Sequence, residues 1–260
     1  MVLLRSISKT GDPDLEFPFT LPIIKNLTTL DFSPVTLFVG ENGSGKSTLL
    51  EGIAAASRLP IAGGGGSGDV TALPEAQKLA TFLRLSWGLN NHTGFFLRAE
   101  DFFGFIKYLN HLQAELRSQK AEFEEKLTGY GRQLAAGSLE NQIQHLRSRY
   151  GDLEALSHGE GYLKFFASRL VPKGLFLLDE PEAALSPTRQ LGLISLILES
   201  LKTGSQFIIA THSPILMSIP EALILWFGEQ GIVKKSYSQI DHVNITRDFL
   251  ASPQAFLQHL

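Results

Sequence analysis

Nine consecutive residues, GENGSGKST from Gly40 to Thr48, constrain this chain more than any other stretch, and they follow directly on the apolar run Val35 to Val39. Gly40, Gly45, Lys46 and Ser47 hold the fixed places of a pattern that reads Gly, four residues, Gly-Lys-Ser. Glu41, Asn42, Gly43 and Ser44 lie between them, and Thr48 follows. The order of parts is strand, glycine loop, helix. Glycines let such a loop close so that successive backbone N–H groups point at phosphate oxygens, the lysine reaches the β and γ phosphates, and the serine hydroxyl ligates Mg²⁺. A helix starting near Lys46 adds the positive end of its dipole to the same anion. A phosphate site built from Gly40 through Thr48 is therefore expected. The helix after it should bury Leu49, Leu50 and Ile53 and run to Arg58, ahead of Pro60.

The second half of the chain supplies what such a loop needs. Gly174 to Leu178 is a fully apolar strand with Asp179-Glu180-Pro181 at its carboxyl end, and Gln206 to Ala210 is another, ending in Thr211-His212-Ser213-Pro214. Between them, Pro187 to Leu201 has helical periodicity. Apolar strands alternating with helices predict a parallel sheet buried on both faces, with the ligand at the strands' carboxyl ends. After a phosphate loop, Asp179 would hold the Mg²⁺ shell, and Glu180 would take a proton from the attacking water.

Composition sets outer bounds. A chain of 260 residues that is 43% hydrophobic fills one large α/β core. The formal net charge of −3 provides no overall basic field for nucleic acid, although it leaves a local basic patch open. With 0 cysteines there is neither a disulfide framework nor a thiolate metal site. The apolar runs fall short of the roughly 18 residues of a membrane span, and MVLLRSISKTGDP lacks the pattern of a signal peptide. The expectation is a soluble cytoplasmic protein with no membrane insertion.

Residues 2 to 32 alternate short apolar runs with Pro, Gly and Asp, as in LEFPFTLP from Leu15 to Pro22, which suits short antiparallel strands forming a side sheet over the nucleotide. Phe17 or Phe19 is placed to stack on an adenine ring, although sheet core is the favoured role for both. Gly63 to Gly68 has the composition of a flexible loop, and Thr81 to Trp87 and Thr93 to Leu97 read as strands around the turn residues Gly88 to Asn91. From 102 to 155 charges rise and apolar residues recur at helical spacing in Phe105, Leu109, Leu112 and Leu116, and again in Leu139, Ile143 and Leu146. Two helices interrupted near Gly129, Gly131 and Gly137 are predicted. This stretch carries seven Lys/Arg against seven Asp/Glu, the balance of a solvated helical face rather than a nucleic-acid clamp. The tail reads as a hairpin over 222 to 236 and a closing helix over Thr246 to Leu260.

Three further segments complete an ordered set with GENGSGKST: ALSHGEG from Ala155 to Gly161, FLLDEPEAALSP from Phe176 to Pro187, and ATHSP from Ala210 to Pro214. Together they resemble an ATP-binding cassette (ABC) ATPase, nearest in style to the soluble SMC- and RecF-like ATPases of DNA maintenance and related stand-alone ATPases. The resemblance runs from about residue 30 to 220. It implies an α/β P-loop NTPase of ABC type in a single domain, 1–260. Such a domain has a mainly parallel central sheet flanked by helices, an N-terminal antiparallel side sheet, and an inserted helical arm at 102–155 leading into the signature motif. By the same resemblance, Ser157, Gly159 and Glu160 match the LSGGQ or LSGGE signature, Ala184 to Pro187 the D-loop, and His212 the switch histidine that contacts the γ phosphate.

Two departures stand out. His158 replaces the first glycine of the signature pair. The family's Q-loop glutamine is missing where Leu97-Arg98-Ala99-Glu100-Asp101 stands, so either Glu100 or Arg98 serves in its place or this segment gives Mg²⁺ no ligand. The activity implied is Mg²⁺-dependent hydrolysis of ATP by a homodimer that sandwiches two nucleotides, with Glu180 and His212 as the catalytic residues and Ser47 and Asp179 on the metal. DNA or a partner protein is the expected substrate of the work, in repair or defence. An ATP-binding subunit of a membrane transporter and a non-turnover ATP-gated switch are the alternatives.

Overall fold

The computed structural model describes residues 2–11, 16–62, 74–89, 92–150 and 159–258. Its centre is a six-stranded sheet in the order β5-β6-β7-β3-β8-β9, formed by β3 (Val35–Gly40), β5 (Gly94–Arg98), β6 (Leu175–Asp179), β7 (Gln206–Ala210), β8 (Leu223–Gly228) and β9 (Gly231–Lys235). Every pairing is parallel except β8 with β9, a hairpin. A second sheet is antiparallel and three-stranded, in the order β2-β1-β4, from β1 (Leu4–Lys9), β2 (Thr29–Asp31) and β4 (Leu83–Trp87).

The parallel sheet is apolar because it is covered on both faces, and successive side chains go to opposite sides. Phe176 and Leu178 of β6 enter one core with Leu37, Phe207 and Ile209, whereas Leu175 and Leu177 enter the other with Phe38 and Ile208. The second core is closed by Leu49, Leu50 and Ile53 of α2 (Lys46–Ser57) and by Leu4, Ile7 and Leu30 of the antiparallel sheet. The first is closed by Phe102 and Phe105 of the arm, by Tyr162 and Phe166 of α6 (Gly159–Ala167), by Leu193 and Ile197 of α7 (Pro187–Lys202), and by Leu216 and Met217 of α8 (Pro214–Met217).

One side chain ties the two sheets together. Gln206, at the start of β7 and fully enclosed, accepts from the backbone N–H groups of Leu3 (3.0 Å) and Leu4 (2.8 Å) through Oε1. Its Nε2 donates to the carbonyls of Leu4 and Ser33, both at 3.0 Å.

Several expected boundaries move. Thr81 and Phe82 end a helix, α3 (Pro74–Phe82), instead of opening the strand, because Ala76 and Leu79 bury one turn apart and Leu79 packs on α2 at Gly52, where a Cβ would lie 2.5 Å from it. Leu21 precedes a short helix, α1 (Pro22–Lys25), and the stretch around Pro18 is turn instead of strand; Pro18 and Pro22 have no N–H to give a ladder. The closing helix starts earlier than expected, as α9 (Asp241–Ala251), and breaks at Ser252 before a last turn, Pro253–Leu257, as the residue ahead of a proline must leave the helical region. The glycine run 63–68 lies outside the described residues.

The arm is a hairpin of two long helices, α4 (Ala99–Lys126) and α5 (Gly129–Tyr150), whose seam holds Leu116, Leu139 and Ile143. Lys120 Nζ reaches Glu140 across it at 2.8 Å. The chain turns at Leu127, extended at φ −109°, and Gly129, at φ +60°; Gly131 and Gly137 continue the second helix.

Replacing Gln206 by Leu keeps the volume and strands four backbone groups. The Gln206→Leu variant should lose about 2–4 kcal/mol of unfolding free energy, read from urea midpoints. A loss within experimental error would show that the two sheets hold together without this clamp.

Candidate functional site

The loop between β3 and α2 has the form that its sequence dictates. A Cβ on Gly40 would sit 2.4 Å from the Phe227 carbonyl oxygen of the neighbouring strand, and Gly45, at φ +92°, would drive one to 2.9 Å from Ile23. Only glycine fits both places. Lys46, 4% exposed, folds back and donates to the carbonyls of Gly40 and Glu41, each at 2.9 Å. Burial lowers its pKa from the usual lysine range, while Glu180, Asp179 and Glu41 act in the opposite sense.

Parallel pairing brings the distant motifs to this loop. Asp179 ends β6 opposite Ala210 of β7, and β7 lies against β3, so the three carboxyl ends meet. Ser47 Oγ donates to Asp179 Oδ1 at 2.9 Å. Burial pushes the Asp179 carboxyl up to about 7 against the opposing Ser47 hydrogen bond. Glu180 follows in the left-handed region, at φ +46° and ψ +49°, a conformation that costs a non-glycine residue on the order of 1–2 kcal/mol. From there its Oε1 stands 3.6 Å from His212 Nε2. That nitrogen is enclosed and has no hydrogen-bond partner, and burial, then the Lys46 ammonium, lowers the His212 pKa below the usual histidine range.

These groups border a cavity of about 690 Å³ lined by Phe17, Leu21, Asn42, Gly43, Gly45, Lys46, Ser47, Thr48, Glu180 and His212. Of the expected site residues, Lys46, Ser47, Asp179, Glu180 and His212 come together here. Gly40, Glu41 and Ser44 shape the same loop. Gly159 and Glu160 begin helix α6, and Ser157 lies outside the described residues. Phe19 is buried, as favoured for it, whereas Phe17 is half exposed on the cavity rim and is not core.

The residues fit a Mg²⁺–triphosphate. Ser47 and Asp179 supply two hard oxygen donors side by side. That is the donor set of a Mg²⁺ that takes its remaining ligands from phosphate and water. At the Q-loop position Arg98 turns inward, with Nε and Nη2 on the two oxygens of Asp101 (2.7 and 2.8 Å) and Nη1 on Glu51 Oε1 (3.0 Å). Glu100 remains largely exposed. A guanidinium has no lone pair for a metal; Arg98 instead makes an ion-pair link between Asp101 of α4 and Glu51 of α2.

Two further residues to which the sequence assigned no role reach the site: Glu182, within the acidic segment 176–187, and His242, outside every motif. His242, at the start of α9, puts Nε2 3.3 Å from Glu41 Oε1 and its ring 5.8 Å from that of His212. Glu182 Oε1 accepts from the backbone N–H of His212 at 2.6 Å. Both contacts are long-range, so the partner of neither side chain can be read from its neighbours in sequence.

Asp179→Asn should retain an oxygen for the Ser47 hydroxyl and remove a buried charge. Since the folded-state pKa of Asp179 lies above the unfolded value, its contribution favours the fold at low pH and is lost as pH rises through about 7. The nucleotide-free variant should therefore be more stable than the parent by about 1–3 kcal/mol at pH 8, with the gain vanishing toward pH 4, by urea denaturation. A variant less stable at pH 8 would contradict this account.

A family model described as "AAA domain, putative AbiEii toxin, Type IV TA system" matches residues 73–218, and one described as "AAA domain" matches 17–58. Curated relatives include the cobalt import ATP-binding protein CbiO of Salmonella typhi and of Salmonella typhimurium, each 28% identical over 247 residues, 88% of this chain and 83% of the relative. Among solved structures, the Smc head domain of Pyrococcus furiosus is similar at 12% identity and a TM-score of 0.47, covering 96% of this chain and all of that one. The cbiO1 protein of Clostridium perfringens is similar at 15% and 0.46, covering 100% of each. The first model spans more than half of the chain, and within it fall the acidic strand end and the histidine that the fold sets beside the phosphate loop: the chain belongs to this AAA-domain family.

Proposed function

We propose that the protein binds ATP with Mg²⁺ in the cavity at Lys46 and hydrolyses it to ADP and phosphate, and that two copies close over two nucleotides. The observation that carries this reading is the convergence of Lys46, the Ser47–Asp179 pair and the Glu180–His212 pair on one cavity. The loop N–H groups and Lys46 would hold the phosphates. Ser47 directly, and Asp179 directly or through water, would hold Mg²⁺, which when bound neutralises charge building on the β and γ oxygens. Glu180, aimed into the cavity by its left-handed backbone, would accept the proton of the attacking water. Its partner His212, whose lowered pKa favours the neutral imidazole, offers an unengaged Nε2 to the γ phosphate or that water. Phe17, on the rim, is the candidate platform for adenine, a stacking contact worth about 1–3 kcal/mol in other base sites.

One subunit supplies half of each site in this reading. The segment before Gly159, with Ser157 and Glu160, would cap the nucleotide held by a neighbour's Lys46. The work driven by the cycle is proposed to lie in defence or DNA repair in the cytoplasm, which the toxin–antitoxin description of the matched family supports. The likeness to cobalt import ATP-binding proteins favours a second reading, an energising subunit docked on a membrane partner. Co-purification with a multispan protein would select it. ATP turnover raised by double-stranded DNA, with binding that falls steeply with salt, would select the first.

Lys46→Ala should abolish ATP binding in equilibrium dialysis, and retained affinity would remove the phosphate-loop assignment. Glu180→Gln should bind ATP as the parent does, lose about 10²–10⁴-fold in turnover, and accumulate as dimer in light scattering with ATP. A fully active Glu180→Gln would put the base elsewhere.

A further inference from the structure

Glu182 lies in the 3₁₀ turn Pro181–Ala184 and does not line the cavity. Its Oε1 gathers three donors from consecutive residues: Thr211 Oγ1 at 2.8 Å, His212 N at 2.6 Å and Ser213 N at 3.1 Å. These residues are the turn that carries His212 off the end of β7. A hydrogen bond to a charged acceptor is about twice as strong as a neutral one. One carboxylate oxygen therefore holds the backbone on which His212 sits, 3.6 Å from Glu180. Burial raises the Glu182 pKa, and hydrogen bonds from its own backbone N–H, from His212 and from Thr211 oppose that rise.

The other oxygen, Oε2, is shut off from solvent and has no partner.

We infer that Glu182 is the positioning residue for His212: through one oxygen it fixes the three-residue turn that sets the imidazole beside Glu180. The catalytic part of this inference rests on the ATPase reading, whereas the positioning part does not.

The test combines amide hydrogen exchange with steady-state kinetics on the full chain. In Glu182→Ala the His212 and Ser213 amides should exchange about 10–100-fold faster, and kcat for ATP should fall at least about 10-fold with KM within about 3-fold. Glu182→Gln, which keeps a carbonyl oxygen, should restore protection to within about 3-fold of the parent. Unchanged protection in Glu182→Ala, or a Glu182→Gln variant as unprotected as Glu182→Ala, would overturn the inference. If the parent protein does not hydrolyse ATP, the ATPase reading falls by itself, and the exchange measurements still decide the positioning role.

Discussion

A hydrogen bond of 2.9 Å, from the Ser47 hydroxyl to the Asp179 carboxylate, joins segments 132 positions apart and holds the candidate site together. It exists because β6, β7 and β3 are parallel neighbours whose carboxyl ends meet at the same edge. An antiparallel arrangement of the same apolar runs would send Asp179 and the glycine loop to opposite ends of the sheet. The burial that makes the parallel sheet apolar also encloses Lys46 and Asp179, and each is driven toward its neutral form as a result.

Those enclosed charges, the left-handed Glu180 and the unpartnered His212 nitrogen are costs that the core on either side of the sheet must offset. A carboxylate and an ammonium held out of water interact strongly with a polyanion and its cation, so the features that weaken the isolated fold are those that would strengthen binding. Strain of this kind clusters at functional sites in many folds, and here it falls on the residue proposed as base.

The arm and the last helix also touch the site. Arg98, at the root of α4, grips Glu51 one turn beyond Ser47, and His242, on α9, meets Glu41 in the loop. The phosphate loop and the helix that follows it therefore each have a polar contact with an element that a minimal phosphate-binding domain does not need, and each gives a route by which movement elsewhere in the chain is felt at the cavity.

Much of this was legible in local sequence. The glycine spacing at 40–45, the uninterrupted apolar runs ending in Asp179 and Ala210, and the helical periodicity of 102–150 each report a short-range constraint: a loop that tolerates no Cβ, a strand covered on both faces, a helix with one dry stripe. Tertiary contacts decided the rest. Thr81 and Phe82 joined a helix because Leu79 found Gly52, Phe17 turned to the cavity rim while Phe19 entered the core, and Arg98 faced inward because Glu51 and Asp101 were there to pair with it. Glu182 and His242 reached the loop ends by side-chain contacts spanning 29 or more and about 200 positions. Local pattern determines the elements and the residue types at their ends; which side chains meet there depends on how the faces pack, and that is a property of the folded chain alone.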